Sequence, residues 1–248
     1  MTNGHAINGA KSGIRAVATT AMIFGVLAIV AGSANAYVYS TSARFGSWTD
    51  GTYTVYNDVW GTHKPNTQTL NVNSASSWNA YSNQTGGGIK SYPNVSYLTN
   101  NRAISTFTSI TSTFNFTSPS NAAYDTAFDV WSTSNADEIM IWEDWNGAVG
   151  PIANSYSCGG ACPSYTNVSI GGSTWNVYQG NTGHNVVSFL RTTKRTSGTE
   201  DVLAIMKWAA ANGLLLSQTI NQVQFGVEIT STTGWEYFNC NSYSSTWN

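Results

Sequence analysis

Gln224-Phe225-Gly226-Val227-Glu228-Ile229-Thr230 reads as a β-strand with two unlike faces. Successive side chains of a strand point to opposite sides. Phe225, Val227 and Ile229 therefore share one face, and Gln224, Gly226, Glu228 and Thr230 share the other. The segment Asp137-Glu138-Ile139-Met140-Ile141-Trp142 divides in the same way. Ile139 and Ile141 point to one side; Glu138, Met140 and Trp142 point to the other. In Phe128-Asp129-Val130-Trp131, Phe128 and Val130 oppose Asp129 and Trp131. An apolar face needs a core. A face of acids and tryptophans fits a sugar-cleaving cleft, although a plain polar sheet face shows the same alternation.

Working outward, most of the chain is short β-rich runs punctuated by Gly, Asn, Ser and Pro. The pattern predicts strands at 53–59, 69–72, 77–82, 104–110, 112–116, 125–131, 138–143, 173–178, 185–191 and 217–230. That density of strands predicts an all-β sandwich of two antiparallel sheets. No repeat or linker divides it. One stretch, Glu200 to Ala211, has helical spacing instead. Val202, Ile205, Met206 and Ala209 form a stripe, Ser197 with Glu200 fits a capping box, and Gly213 follows the end. A single helix packed on the sandwich is expected.

Lys11 and Arg15 precede an apolar stretch from Ala16 to Gly32, followed by Ser33-Ala34-Asn35-Ala36. That order of basic, apolar and small residues predicts a secretory signal peptide over 1–36 and an exported domain over 37–248. No later stretch is long and apolar enough to span a bilayer, so no membrane attachment is expected after cleavage. Removal of Lys11 and Arg15 leaves 8 basic against 12 acidic side chains, a formal charge of −4. Nothing there favours nucleic acid. One domain of this size is expected to act as a monomer. Cys158 and Cys162, separated by Gly159-Gly160-Ala161, are disulfide candidates in an exported chain, with Cys240 left over. His63 and His184 lack ligand spacing to the cysteines, so no metal and no cofactor are expected.

Acids are few enough to sort individually. Asp50, Glu200, Asp201 and Glu236 are placed in turns or at the helix start and expected to be solvated. Asp125 and Asp137 are placed at strand edges. Glu143 falls on the apolar face of its strand unless the strand has ended or bulged there. Asp129, Glu138 and Glu228 remain as mid-strand acids away from the core. Two carboxyl groups about 5–5.5 Å apart are what a retaining glycosidase needs: one attacks the anomeric carbon, and the other protonates the leaving oxygen and then activates water. Strand parity also places Trp131 and Trp142 beside these acids. Trp78, Trp175, Tyr178, Trp208 and Trp235 have core packing as their default.

Six motifs in order carry a family resemblance. Asn57-Asp58-Val59-Trp60-Gly61, Ser77-Trp78 with Gly86-Gly87-Gly88-Ile89-Lys90-Ser91-Tyr92-Pro93-Asn94, Ala127-Phe128-Asp129-Val130-Trp131, Glu138-Ile139-Met140-Ile141-Trp142, Gly150-Pro151-Ile152 and Gly226-Val227-Glu228 together resemble the motifs of glycoside hydrolase family 12. The resemblance implies a β-jelly roll with a concave cleft and one helix, and endo-hydrolysis of β-1,4-glucans with retention. It implies Glu138 as nucleophile, Glu228 as general acid/base and Asp129 as the acid assisting the nucleophile. It also implies Met140 beneath the scissile sugar, Trp60 stacked on a sugar, and Asp58 as a polar substrate contact. Asp58 stands where the family has Asn, and the segment after Glu228 departs from the family pattern. Glu143-Asp144-Trp145 reads as an acidic, aromatic loop, either solvated or touching substrate.

The implied substrate is cellulose or a related β-glucan. Alternatives are a xyloglucan-specific endoglucanase, a xylanase of the related jelly-roll family, and a non-catalytic carbohydrate-binding protein.

Overall fold

The alternation in these segments is realised as two facing sheets. A computed structural model describes residues 36–61 and 67–248. The predicted signal peptide, apart from Ala36, and His63 lie outside the described residues. The larger sheet runs, in spatial order, β10 (Tyr165–Ile170), β11 (Ser173–Asn181), β12 (Asn185–Arg191), β9 (Asp137–Asn146), β8 (Ala123–Trp131), β14 (Thr219–Ser231), β6 (Asn94–Ala103), β3 (Tyr53–Tyr56) and β2 (Ser47–Asp50). The smaller runs β1 (Tyr39–Thr41), β4 (Gln68–Ser74), β5 (Ser77–Ser82), β15 (Glu236–Trp247), β7 (Ile110–Thr117) and β13 (Ser197–Asp201). The fold is a jelly-roll sandwich. Pairing is antiparallel except between β12 and β9, which run parallel.

The core lies between the sheets. Phe128 and Val130 from β8, Ile139 and Ile141 from β9, and Phe225, Val227 and Ile229 from β14 all enter it. They meet Phe114 and Phe116 from β7 and Phe238 from β15. Phe225 alone contacts the rings of Phe114, Phe116, Phe128 and Tyr243. Since one face of the larger sheet is committed to this core, the other face is free to form a site. Trp78 and Trp175 belong to the core, Trp208 packs against it, and Trp235 is exposed and stacks on Tyr81.

Three expectations need correction. Residues 104–110 do not form a strand. A 3-10 turn occupies Ile104–Thr106, between the long β6 and the start of β7. The helix α1 spans Val202–Ala211, and Ser197 through Asp201 is strand β13, so Ser197 caps nothing. Asp201 is the cap: its Oδ1 accepts from the Ala204 N–H at 3.0 Å. Glu200, read as solvated, is buried, because the strand that carries it turns its side chain inward. The helix itself buries Val202, Leu203, Ile205, Met206 and Ala209 against the core.

Candidate active site

Strand parity on β8, β9 and β14 determines what faces away from the core. Asp129 and Trp131 from β8, Glu138, Met140 and Trp142 from β9, and Gln222, Gln224 and Glu228 from β14 line a single cleft of about 560 Å³. Asp58 and Trp60, from the segment after β3, also line it, as do Tyr92, Ile152 and His184. Each substrate-contact candidate from the sequence, Trp60, Asp58, Met140, Trp142 and Trp131, therefore borders the same space as Glu138, Glu228 and Asp129. Trp60 is half exposed, an open ring at the cleft. Met140, Trp142, Leu190 and Ala127 make a small apolar cluster on this face, with Tyr178 against it.

The register explains how the acids meet. Glu138 lies opposite Trp131, and Glu228 lies opposite Asp125, at the other end of β8. On a flat sheet that offset would separate their backbones by about 20 Å. Both side chains nonetheless line one cleft, where the charge of Glu138 raises the pKa of Glu228. Asp129 lies between them, opposite both Met140 and Gln224.

Burial dominates the electrostatics. It pushes the Glu228 carboxyl well above the ordinary carboxylate range; the charge of Asp125, the hydrogen bond to Asp125, and the charges of Glu138 and Asp58 raise it further. Asp125, placed at a strand edge by the sequence, is fully buried within β8. Neither of its oxygens meets an N–H or hydroxyl donor among the described residues. Its hydrogen-bond partner is the Glu228 carboxyl, so the bond exists only when one of the two acids holds a proton. Asp129 is raised by burial and by the charges of Glu138 and Glu228, an effect opposed by the Trp131 Nε1–H, which donates to its Oδ2 at 2.7 Å. Burial lifts Asp58 to about 6. So many carboxyls in one water-poor cleft cannot all be ionised together.

His184 was not singled out as a site residue by the sequence. It lies in the turn between β11 and β12, where periodicity carries no signal. Its Nε2 is 2.6 Å from Glu138 Oε2, and its ring lies against Trp131 with centroids 5.0 Å apart. Gln222 was also missed, although it shares the polar face of β14 with Gln224 and parity could have found it.

Glu143-Asp144-Trp145 is strand, not loop, and none of the three lines the cleft. The β8–β9 register slips at this point, pairing Thr126 with Asp144 and Ala127 with Trp142. Glu143 is fully buried and takes two hydrogen bonds from Arg195. Asp144 accepts from the Tyr124 hydroxyl, and Lys194 Nζ sits over the Trp145 ring. Cys158 and Cys162 are joined in a disulfide with Cα atoms 5.4 Å apart, and Cys240 is free and buried.

Comparison with known proteins adds an independent line. Residues 51–248 match the model of Glycosyl hydrolase family 12. The chain is 32% identical over 219 residues to the xyloglucan-specific endo-beta-1,4-glucanase A of Emericella nidulans, covering 80% of this chain and 89% of that protein. It is 27% identical over 214 residues to endoglucanase S of Pectobacterium parmentieri, covering 73% and 77%. Among solved structures, the xyloglucanase domain of NopAA, a type three effector from Sinorhizobium fredii in complex with cellobiose, superposes with a TM-score of 0.80 at 39% identity. That match covers 85% of this chain and 99% of the other.

Proposed function

The chain belongs to glycosyl hydrolase family 12, and we propose that it is a secreted endo-β-1,4-glucanase that cleaves internal glucan bonds with retention, with xyloglucan as its favoured substrate. The observation that carries the mechanism is the meeting of Glu138 and Glu228, from separate strands, on one cleft. The substrate preference rests on the xyloglucan-specific relative and the xyloglucanase domain described above. Export rests on the signal-like N-terminus.

In the first step the Glu138 carboxylate attacks the anomeric carbon while Glu228 gives its proton to the departing glycosidic oxygen. The burial that keeps Glu228 protonated suits it to this task. The bond from Glu138 to the sugar removes the Glu138 charge, so Glu228 can remain ionised and take a proton from water in the second step. Water then adds to the anomeric carbon and Glu138 leaves as carboxylate. Asp129, near Glu138 and hydrogen-bonded by Trp131, is raised by burial and by the charges of Glu138 and Glu228, which suits it to hold a proton beside the nucleophile rather than add a further charge. Trp60 and Trp131 offer rings for sugar faces.

The purified protein is to be incubated with soluble xyloglucan, mixed-linkage glucan, a soluble cellulose derivative and xylan, with reducing ends and viscosity followed together. A steep viscosity loss with few new ends, fastest on xyloglucan, is expected. Glu138→Gln and Glu228→Gln are each expected to lose about 10²–10⁴-fold in turnover while remaining folded. Binding of oligosaccharide without release of ends would leave a carbohydrate-binding protein instead, and near-normal turnover in either variant would remove that residue from the mechanism.

A further inference from the structure

The residue that grips Glu138 is not one of the acids. The turn after β11 passes through Thr182 and Gly183, the latter at φ 102°, a backbone region that favours glycine. The parallel pairing of β12 with β9 then sets Asn185 opposite Asp137 and Val186 opposite Glu138. His184 is thereby aimed along the end of β9. Its Nε2 reaches Glu138 Oε2 at 2.6 Å, with Thr182 Oγ1 3.3 Å from the same nitrogen. The ring is fixed from the side by Trp131. Trp131 also donates to Asp129 Oδ2 at 2.7 Å, so one oxygen of Asp129 is already taken. The other, Oδ1, has no partner among the described residues. Among the described residues, the side chain that hydrogen-bonds Glu138 is His184.

We propose that His184 is the positioning residue of Glu138, holding one carboxylate oxygen so that the other is presented to the anomeric carbon. The proposal rests on the reading of Glu138 as nucleophile. An ionised carboxylate offers only acceptors, so His184 must carry its proton on Nε2 and donate it. One such bond removes the rotational freedom of a glutamate side chain while leaving its second oxygen unbonded. Attack needs the reacting atoms near 3–3.5 Å and aligned, so a loose carboxylate loses rate in the chemical step more than in binding. Glutamine can place an N–H close to where the histidine Nε2 lies.

The test has two parts. In the first, kcat and KM are compared for the wild type, His184→Ala and His184→Gln on one soluble glucan. His184→Ala is expected to lower kcat about 10–100-fold with KM nearly unchanged, and His184→Gln to recover most of that loss. An unchanged kcat in His184→Ala overturns the proposal, as does a His184→Gln no better than alanine while equally folded. In the second, nitrogen NMR of the wild-type imidazole reads the tautomer without any turnover. The Nε2–H form is expected, with its signal altered in Glu138→Ala; a dominant Nδ1–H form overturns the proposal. If the wild type cleaves no glucan while the Nε2–H form is present, the proposed function fails and the contact stands.

Discussion

At the scale of single residues, the cleft is governed by which carboxyl holds a proton. Asp125 and Glu228 face each other across β8 and β14, and their hydrogen bond requires one shared proton. The groups around the pair are Asp129 from the same strand, Glu138 from β9, Asp58 from the segment after β3, and Tyr92, whose hydroxyl donates to the Ala127 carbonyl. An Asp125 charge makes Glu228 harder to ionise, since the second negative charge would sit beside the first. On the proposed mechanism Glu228 is protonated for the first step, so its ionisation forms the alkaline limb of the pH–rate profile. Asp125→Asn removes the charge and keeps a polar group of the same size. The alkaline limb of kcat/KM should then move to lower pH, since Glu228 loses its proton more readily. A profile that does not move, measured on folded variant, would mean that Asp125 does not tune Glu228. This pairing was not legible in the sequence. Parity places Asp125 on the face of Asp129, but only the β8–β14 register shows that it meets Glu228.

At the scale of elements, the family motifs separated in sequence prove to be in contact. Gly226 lies two residues before Glu228, and a Cβ there would come within 2.2 Å of the Pro93 carbonyl oxygen and 2.7 Å of Asn94 Cβ. The same carbonyl accepts from the Val227 N–H at 3.2 Å. The Tyr92-Pro93-Asn94 segment can approach β14 this closely only because position 226 has no side chain. Gly226→Ala must push β14 from its neighbour or shift Glu228, and a loss of about 1–3 kcal/mol in urea unfolding is expected, together with reduced turnover. Unaltered stability and turnover would show that the contact relaxes freely. The strands of the site were legible because each alternates cleanly: Phe225, Val227 and Ile229 against Gln224 and Glu228. Strand β15 was not. Its Phe238 and Cys240 keep one parity, but a register shift between Cys240 and Ser242 puts Tyr243 inward out of phase. Glu200 was misread for a related reason: five residues of strand precede the helix, and helical spacing concealed their shorter period.

At the scale of the molecule, the two sheets are joined at one end by charge. Glu143 belongs to β9 of the larger sheet and Glu200 to β13 of the smaller, and both are almost fully buried. Arg195 bonds both, and Arg191 at the end of β12 bonds Glu200 at 3.0 Å. The guanidinium of Arg195 also lies over the Phe114 ring of the core, 5.4 Å from its centroid. Burial and the charge of Glu143 lift the Glu200 carboxyl to about 8 against the lowering effect of Arg195 and Arg191, and the desolvation cost of each buried charge is offset only while its partners remain. Arg195→Met keeps much of the volume and removes the guanidinium that bonds both Glu143 oxygens, leaving Arg191 Nε at 3.5 Å as the cationic partner of Glu143. A loss of about 3–5 kcal/mol at neutral pH is expected from urea unfolding. The sign with pH follows from linkage. A buried carboxylate that loses its better-placed cationic partner binds its proton more tightly in the variant's folded state than in the unfolded chain, so the penalty is present above the unfolded carboxylate range and shrinks as pH falls. The stability gap between wild type and Arg195→Met should therefore narrow toward acid. A gap that stays constant with pH would assign the loss to packing over Phe114 rather than to the lost ion pair, and the cross-sheet link would then be apolar in origin.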